Sequence, residues 1–290
     1  LAEGALYNND PGYYRKELSE YAAVTPETVK AVMQKWLSRP VLALTVAPGE
    51  REPYAEAASN LPPPKPAAPL AIKAREPMPG VGKMKSLDFP AVERAKLSNG
   101  IEVVYAHSAA VPLTQVAVEF DAGVAADPAK ALGTQRLMLS LLDQGTKSLD
   151  TVQIAETNER LGAQLGTAAG IDRTAVTLSV VTPNLGGGLE LLSDVIRNPA
   201  FKAEDIDRVR EQQLAAIAQE QTSPNGMGNR ALPGILYGSD HPYGRPFSGL
   251  GDPDAVKGLS RYELQSFHDA WIRPDNARIF IVSDKPLAEL

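Results

Sequence analysis

His107, His241 and His268 are the only histidines of this sequence, and therefore the only imidazoles that could bind a metal or transfer a proton. Their spacing does not match a metal-binding motif. His107 follows a strand-like run, and His241 lies in the turn-forming stretch His-Pro-Tyr-Gly-Arg-Pro. His268 lies on a helix-like segment. We expect an exposed loop histidine at 107, a structural turn at 241 and a packed or surface histidine at 268.

The composition excludes several kinds of chemistry. The 290 residues contain no cysteine, which excludes disulfides, thiolate metal sites and a cysteine nucleophile. The formal net charge of −6 and the pI near 5.3 give no basic footprint for nucleic acid. No apolar run approaches the roughly 18 residues that a membrane-spanning helix needs. We therefore expect neither a nucleic-acid partner nor a membrane span.

Residues 91–290 have the pattern of one domain. Leu97-Ser-Asn99-Gly100-Ile101 predicts a hairpin with a type I′ turn. Two strands with one buried face are expected around Val103 and Val118, where apolar residues alternate along the chain. Further strands are predicted at 175–182 and 277–282, and helices at 129–143, 151–161, 189–197, 204–221 and 263–271. This order predicts an α+β fold, with a largely antiparallel sheet and helices packed mainly on one face.

Residues 1–50 and 51–90 differ from that domain. Thr25-Pro26-Glu27 begins a predicted helix with one apolar face, and a buried strand is expected at 41–46. We interpret residues 1–50 as the C-terminal end of a preceding α+β domain. Nine of the 24 prolines lie within 51–90, which predicts an extended, semi-rigid linker. Because the chain starts at Leu1, we expect it to be a portion of a larger protein whose targeting signal is not in this sequence.

The order of these pieces resembles the insulinase/pitrilysin family of zinc peptidases, in its processing-peptidase-like branch. The motifs that carry the resemblance are Gly145-Thr146, after the first helix of the domain, and Leu236-Tyr-Gly-Ser-Asp-His-Pro-Tyr-Gly-Arg-Pro246. Members of this family consist of two homologous halves that a linker joins. The resemblance implies that residues 51–90 are the linker between the halves. It also implies that residues 91–290 are the first α+β domain of the second, degenerate half.

In active members, the helix before the Gly-Thr pair carries His-x-x-Glu-His, in which two imidazoles on one helix face bind zinc and the glutamate acts as the base. Counting back from Gly145 places Arg136, Leu139 and Ser140 at the first His, the Glu and the second His positions. A third ligand, a glutamate about 76 residues later, corresponds to Ala216. All four positions are substituted, so the resemblance implies no catalytic residue and no metal site in this chain. Zinc is expected only in the active half of the parent protein.

The function that this resemblance implies is a non-catalytic portion of a zinc endopeptidase. Such a portion would line the substrate chamber of a protein that hydrolyses unfolded peptides, and it would be inactive alone. The alternative is a purely structural or interaction protein of the same fold. The expected partners are peptide substrates and an active zinc-binding half, in the same polypeptide or in a separate subunit. The expected location is periplasmic or otherwise exported from a bacterium.

A few further residues leave alternatives open. Tyr243 and Arg245 are weak candidates for binding substrate, and a hydrogen-bonded loop anchor explains them equally well. Arg136 could pair with an acid such as Asp143 or Glu211, project into the chamber, or lie on the helix surface. Asp121-Ala-Gly-Val resembles the end of a substrate-pairing strand, or only an edge strand. The stretch 186–188, Gly-Gly-Gly, is expected to be a loop before a helix, since no P-loop Lys-Ser/Thr follows it.

Overall fold

A computed structural model describes residues 1–47 and 89–290, together with the single positions 49, 80, 82 and 86. The chain divides into two compact units, Leu1–Val81 and Gly82–Leu290. The predicted linker at 51–90 lies almost entirely outside the described residues. Within those residues, no helix is long and apolar enough to cross a bilayer.

The first unit contains three helices without a buried residue, α1 (Ala2–Asn8), α2 (Tyr14–Ala22) and α3 (Pro26–Leu37). The predicted start of α3 is confirmed, because Thr25 and Thr28 form a capping box and Pro26 occupies the first helical position. The strand predicted at 41–46 is wrong: these residues are exposed and have no regular structure. The physical reason is that a strand needs a hydrogen-bonded neighbour, and none is described beside this segment.

The second unit is built around a six-stranded sheet in the order β1-β2-β6-β3-β5-β4. The pairing is antiparallel except between β2 and β6, which are parallel. This confirms the predicted α+β fold with a largely antiparallel sheet. The strands are β1 (Val92–Lys96), β2 (Glu102–His107), β3 (Leu113–Phe120), β4 (Ala163–Ala169), β5 (Thr174–Val181) and β6 (Ala277–Ser283).

The helices cover one face of this sheet. Val116, Leu178 and Val180 point to that face and are at most 4% exposed. Ala117, Thr177 and Phe280 alternate with them and point to the opposite, more open face. The helices of this unit are α4 (Thr134–Leu141), α5 (Thr151–Leu161), α6 (Leu185–Arg197), α7 (Ala203–Thr222), α8 (Pro224–Tyr237), α9 (Pro253–Gly258) and α10 (Arg261–Trp271).

Several local predictions need correction. In the β1–β2 hairpin, Gly100 N donates to Leu97 O and only Gly100 has a positive φ, of 89°. The turn is therefore the three-residue form that ends in a glycine bulge, because a type I′ turn would need a second positive φ. The glycines at 186–188 lie in the first turn of α6 instead of in a loop. Gly188 allows this helix to pack closely on Leu178 and Val180 of β5.

Further features of this unit were not expected. The helix predicted at 129–143 begins only at Thr134, and β4, α8 and α9 were not predicted. The strand that ends before Asp121 is β3, which lies between β6 and β5. Its main-chain groups are therefore already paired, and the interpretation of this strand as an edge or peptide-pairing strand is wrong. The described edges of the sheet are β1 and β4.

Candidate functional site

The N-terminus of α4 is held by the buried carboxylate of Asp127. Its Oδ2 accepts a hydrogen bond from Gly133 N at 2.7 Å, and its Oδ1 accepts one from Gln135 N at 2.8 Å. Asp127 is 3% exposed. Burial raises the pKa of Asp127 to about 6, although these backbone donors and the Arg245 guanidinium act in the opposite direction. Because these free N–H groups need acceptors, Asp127 fixes the point at which α4 begins.

Two buried glutamines hold the same helix against its neighbours. Gln135 Nε2 donates to Thr174 Oγ1 of β5 at 2.7 Å. Gln213 of α7 donates from Nε2 to Gly133 O at 3.2 Å and to Leu250 O at 2.8 Å. These bonds connect α4 to the sheet, to α7 and to the loop at 246–252. The helix is therefore positioned on three sides by specific polar contacts.

The Gly-Thr pair after α4 has a structural role. Thr146 is 3% exposed, and its Oγ1 accepts hydrogen bonds from Ser148 N and Leu149 N at 3.2 and 2.9 Å. Gly145 O accepts a bond from Ala200 N at 2.9 Å. The pair thus closes the turn that leads from α4 to α5. This geometry accounts for the motif without any catalytic role.

The four positions that the resemblance assigns to the zinc motif lie on α4 and α7, which pack against each other. Arg136 is exposed and Ser140, one turn later, is half-buried, so these two side chains share the outer face of α4. Leu139 is 2% exposed and belongs to the hydrophobic core. Ala216 on α7 is half-buried, three residues after the buried Gln213.

These side chains do not form a zinc-binding donor set. Zinc in proteins binds the nitrogen of neutral histidine, thiolate or carboxylate, and the arginine, leucine and alanine side chains present none of these ligands. Within the described part of the chain, no group of three histidines or acids is placed to hold a metal ion. Arg136 takes no part in the ion pairs formed by residues 89–290. A pairing of Arg136 with Asp143 or Glu211 is therefore not present.

Tyr243 and Arg245 anchor a loop. Arg245 Nη1 donates to the carbonyl oxygens of Asp127 at 2.7 Å, Val124 at 3.1 Å and Ala125 at 3.2 Å. Tyr243 Oη donates to Asp172 Oδ1 at 2.6 Å, and this hydrogen bond raises the pKa of Tyr243. Both side chains are thus committed to contacts within the unit, and a role in substrate binding stays a prediction.

The three histidines have ordinary environments. His107 is exposed at the end of β2, with its Nδ1 3.1 Å from Tyr105 Oη. His241 Nδ1 accepts a bond from Tyr243 N at 3.0 Å, which confirms the structural turn. His268 is 6% exposed and lies 2.7 Å through Nε2 from Ile196 O, which confirms a packed histidine.

Asp127 and Gln213 are the site residues that the sequence did not indicate. Asp127 lies seven residues before the start of α4, outside the usual N-cap position. Gln213 contacts Gly133, which is 80 residues away in sequence. Neither contact has a local sequence signal, so both could be found only from the tertiary structure.

The part of the chain that contains α4 and α7 is similar to known proteins. Residues 102–245 match the family model for insulinase, peptidase family M16. The matched segment belongs to the insulinase family. It includes β2 to β5, both helices of the candidate site and the His241–Arg245 turn. The resemblance found through Gly145-Thr146 is therefore confirmed at the level of the family.

Individual relatives show what the chain is similar to. An uncharacterized zinc protease of Mycobacterium leprae is 25% identical over 213 residues, which cover 73% of this chain and 47% of that protein. The crystal structure of the peptidase M16 inactive domain from Pseudomonas fluorescens matches with a TM-score of 0.65 at 25% identity, covering 69% of this chain and 48% of that one. The periplasmic protease PqqL from Escherichia coli matches with a TM-score of 0.61 at 18% identity, covering 68% of this chain and 22% of that one. The chain spans about half the length, or less, of these relatives.

Proposed function

We propose that this chain is a non-catalytic portion of an M16 zinc endopeptidase and contributes to the chamber in which unfolded peptides are hydrolysed. The observation that carries the proposal is the pair α4–α7. The two helices that carry the expected zinc-motif positions pack against each other, but Arg136, Leu139, Ser140 and Ala216 offer no zinc ligand set. The similarity to an inactive M16 domain supports the same conclusion.

The domain assignment follows from this proposal. Residues 1–50 would end the last domain of the first half, residues 51–90 would form the linker, and residues 91–290 would be the first domain of the degenerate half. The zinc-bearing half would belong to the same polypeptide or to a separate subunit. A periplasmic location fits the similarity to a periplasmic protease but depends on the parent protein.

Metal and activity measurements test the proposal. The 290-residue chain should contain no stoichiometric zinc by inductively coupled plasma mass spectrometry and should not cleave a quenched fluorescent peptide. The positive control is the fourfold variant Arg136→His/Leu139→Glu/Ser140→His/Ala216→Glu. It places the zinc ligands and the catalytic glutamate of the family on the same two helices. Tightly bound zinc in the wild-type chain, at one ion per molecule, would refute the proposal.

The open face of the sheet is the surface that we assign to the chamber wall. A shallow cavity of about 430 Å³ lies there, and its lining includes Ala117, Thr177, Ser179 and Val282. Small side chains, among them the half-buried Thr177 and Ser179, give a surface on which peptides of different sequence can bind without steric conflict. Ion pairs of Glu102 with Arg94 and Arg278 lie at one side of the same face.

A substitution in this cavity separates a chamber wall from a purely structural domain. Val282 is 40% exposed on the open face, and Val152 is 65% exposed on α5 in the helix layer. In the active parent protein, Val282→Arg should raise KM and leave kcat unchanged, as expected when uniform substrate binding is lost. The control Val152→Arg should change neither. Equal KM values for the two variants would favour the structural alternative.

A further inference from the structure

Three polar side chains form a row across the open face of the sheet. In the strand register, Gln115 of β3 lies opposite Ser179 of β5, and Ser179 lies opposite Gln164 of β4. All three line the cavity of about 430 Å³ on that face, and we name them the glutamine row. Because neighbouring strands are about 4.8 Å apart, the Cα atoms of the two glutamines are about 10 Å apart.

The two amides of the glutamine row are available to a ligand. Gln115 and Gln164 are exposed. The side-chain hydrogen bonds described on the open face join charged residues or involve Thr177. Neither amide is therefore occupied within residues 89–290. The buried Gln135 shows the contrast, since its Nε2 is used inside the fold to hold β5.

Carboxamide groups match the main chain of an extended peptide. Each glutamine side chain carries a carbonyl acceptor and two N–H donors, and each peptide unit of a ligand offers one donor and one acceptor. A separation of about 10 Å corresponds to about three residues of extended chain, at about 3.3 Å each. Two glutamines at this separation can therefore hold both ends of a short extended segment. The match uses main-chain groups, so it is the same for peptides of different sequence.

The floor beside the glutamine row leaves space for a side chain of such a segment. Ala117, Thr177 and Gly166 form the next row, in register across the same three strands. Their side chains are small or absent, and Phe280 and Val282 of β6 form an apolar side of the cavity. A peptide held by its main chain would place a side chain over this floor, because successive side chains of an extended chain point to opposite faces.

Charge does not select among peptides at this cavity. Among the described residues, those that line it carry no charge. The charged residues of the open face lie at its other end, where Glu102, Arg278 and Glu119 occupy adjacent strands. Arg278 pairs with Glu102 at 3.0 Å, and Arg173 pairs with Glu119 at 3.1 Å. We therefore expect acidic and basic peptides to bind the cavity about equally.

We propose that the glutamine row binds the main chain of an extended, unfolded peptide. Gln115 and Gln164 exchange hydrogen bonds with peptide units about three residues apart, and a side chain between these units lies over Ala117 and Gly166. The proposal rests on the proposed function, because it names how the chamber wall holds a substrate without selecting its sequence.

Side-chain amide signals test the proposal on the 290-residue chain. The probe is a synthetic peptide of about nine residues, with glycine, serine and threonine around a central leucine, which is long enough to cross the whole sheet face. In nitrogen-15-labelled protein, this peptide should shift the Nε2 amide signals of Gln115 and Gln164. The signal of Gln212, which is exposed on α7 in the helix layer, should not change. An N-methylated peptide of the same sequence should bind at least about tenfold more weakly, because it lacks main-chain donors.

Substitutions separate main-chain binding from nonspecific contact with the sheet. The double variant Gln115→Leu/Gln164→Leu should weaken binding of the probe at least about tenfold, and the control Gln212→Leu should not. Binding to these variants is followed through the backbone amide signal of Ala117. The double variant Gln115→Glu/Gln164→Glu should favour a peptide with a central lysine over one with a central glutamate, whereas the wild-type chain should bind both about equally. All three glutamines are exposed, so the variants should fold.

Three results would overturn the proposal. The first is the absence of a shift in both glutamine signals at millimolar peptide. The second is equal binding by the wild type and the leucine double variant, with binding still lost on N-methylation, which would place the peptide on an edge strand such as β4. The third is a shift without peptide that grows with protein concentration, which would identify a second copy as the occupant.

These results can be told apart from a failure of the proposed function. In the active parent protein, the leucine double variant should raise KM, as Val282→Arg should. A raised KM for Val282→Arg with an unchanged KM for Gln115→Leu/Gln164→Leu would keep the chamber wall and reject the glutamine row. An unchanged KM for Val282→Arg, together with peptide-induced shifts of both glutamine signals, would reject the chamber role alone.

Discussion

The loop at 246–252 should hold the candidate-site helix in place through a backbone contact that only glycine permits. Gly251 has a φ of +82°, and a Cβ at this position would lie 2.2 Å from Leu132 O and 2.5 Å from Gly133 N. Both are backbone atoms just before α4, so they cannot move aside cheaply. Arg230 Nη2 also donates to Gly251 O at 2.8 Å, and its Nη1 is 2.7 Å from Glu220 Oε2. Gly251→Ala should therefore displace the loop and break this bond.

The expected cost follows from two separate terms. A left-handed backbone costs a residue with a Cβ about 1–2 kcal/mol. Loss of a hydrogen bond from a charged donor costs about 1.5–3 kcal/mol, and the Arg230 side chain is only 15% exposed. The sum predicts that Gly251→Ala lowers the free energy of unfolding by about 2.5–5 kcal/mol. The control is Gly100→Ala, where φ is +89° but nothing lies within 4 Å of the added Cβ. It should cost only the backbone term of about 1–2 kcal/mol.

Urea denaturation measures both values. Trp271 fluorescence would follow the second unit in a Trp36→Phe background, since Trp36 is 54% exposed in the first unit. Linear extrapolation gives the free energy of unfolding when the slope is unchanged. Equal losses for Gly251→Ala and Gly100→Ala would refute the reasoning. They would mean that the loop does not clamp the start of α4.

Two further predictions concern the same region. Burial raises the pKa of Asp127 from 3.8 to about 6, so between these pH values the folded chain retains a proton that the unfolded chain has lost. The stabilisation from the protonated carboxyl is fully present below pH 3.8 and is lost as pH rises through about 6. The total loss is about 3 kcal/mol. Asp127→Asn should remove this decrease in the free energy of unfolding. The prediction would be contradicted if the free energies from urea denaturation changed with pH in parallel for the variant and the wild type. Arg245→Met should lower stability by about 1.5–3 kcal/mol, because three carbonyl oxygens lose a charged donor. Thermal unfolding measures both arginine variants, and the stability of the exposed control Arg261→Met should change by no more than about 0.5 kcal/mol. Similar losses of stability for Arg245→Met and Arg261→Met would be inconsistent with the anchoring role of Arg245.

The fold class was predictable because its signals are local. Alternating residues such as Val116 and Val118 mark one buried face of a strand, and the structure buries both. Asp150 and Gln153 form the capping box that begins α5, directly at the start of the helix predicted at 151–161. Such patterns depend on neighbouring residues only, so they survive in a single sequence.

The missed elements were those whose formation depends on distant residues. The strand β4 consists mainly of alanine, glycine and glutamine, with Thr167 as its single β-branched residue, and it forms because it pairs with β5 along its whole length. The start of α8 follows α7 after a single residue, Ser223, whose hydroxyl accepts a hydrogen bond from Gly226 N. The segment at 41–46 shows the opposite case, since an apolar run gave a strand signal but no neighbouring strand is described there.

The sequence by itself determined the family resemblance and which zinc ligands the four expected motif positions lack, because these depend on which side chains exist. With Arg136, Leu139, Ser140 and Ala216 at the motif positions, no conformation can provide three histidine or carboxylate ligands. Only the tertiary structure decided what these positions do instead. It placed Leu139 in the core and left Arg136 in solvent, and it fixed the N-terminus of α4 through Asp127 and Gln213. Those contacts join residues that are far apart in sequence, and packing in three dimensions is what brings them together.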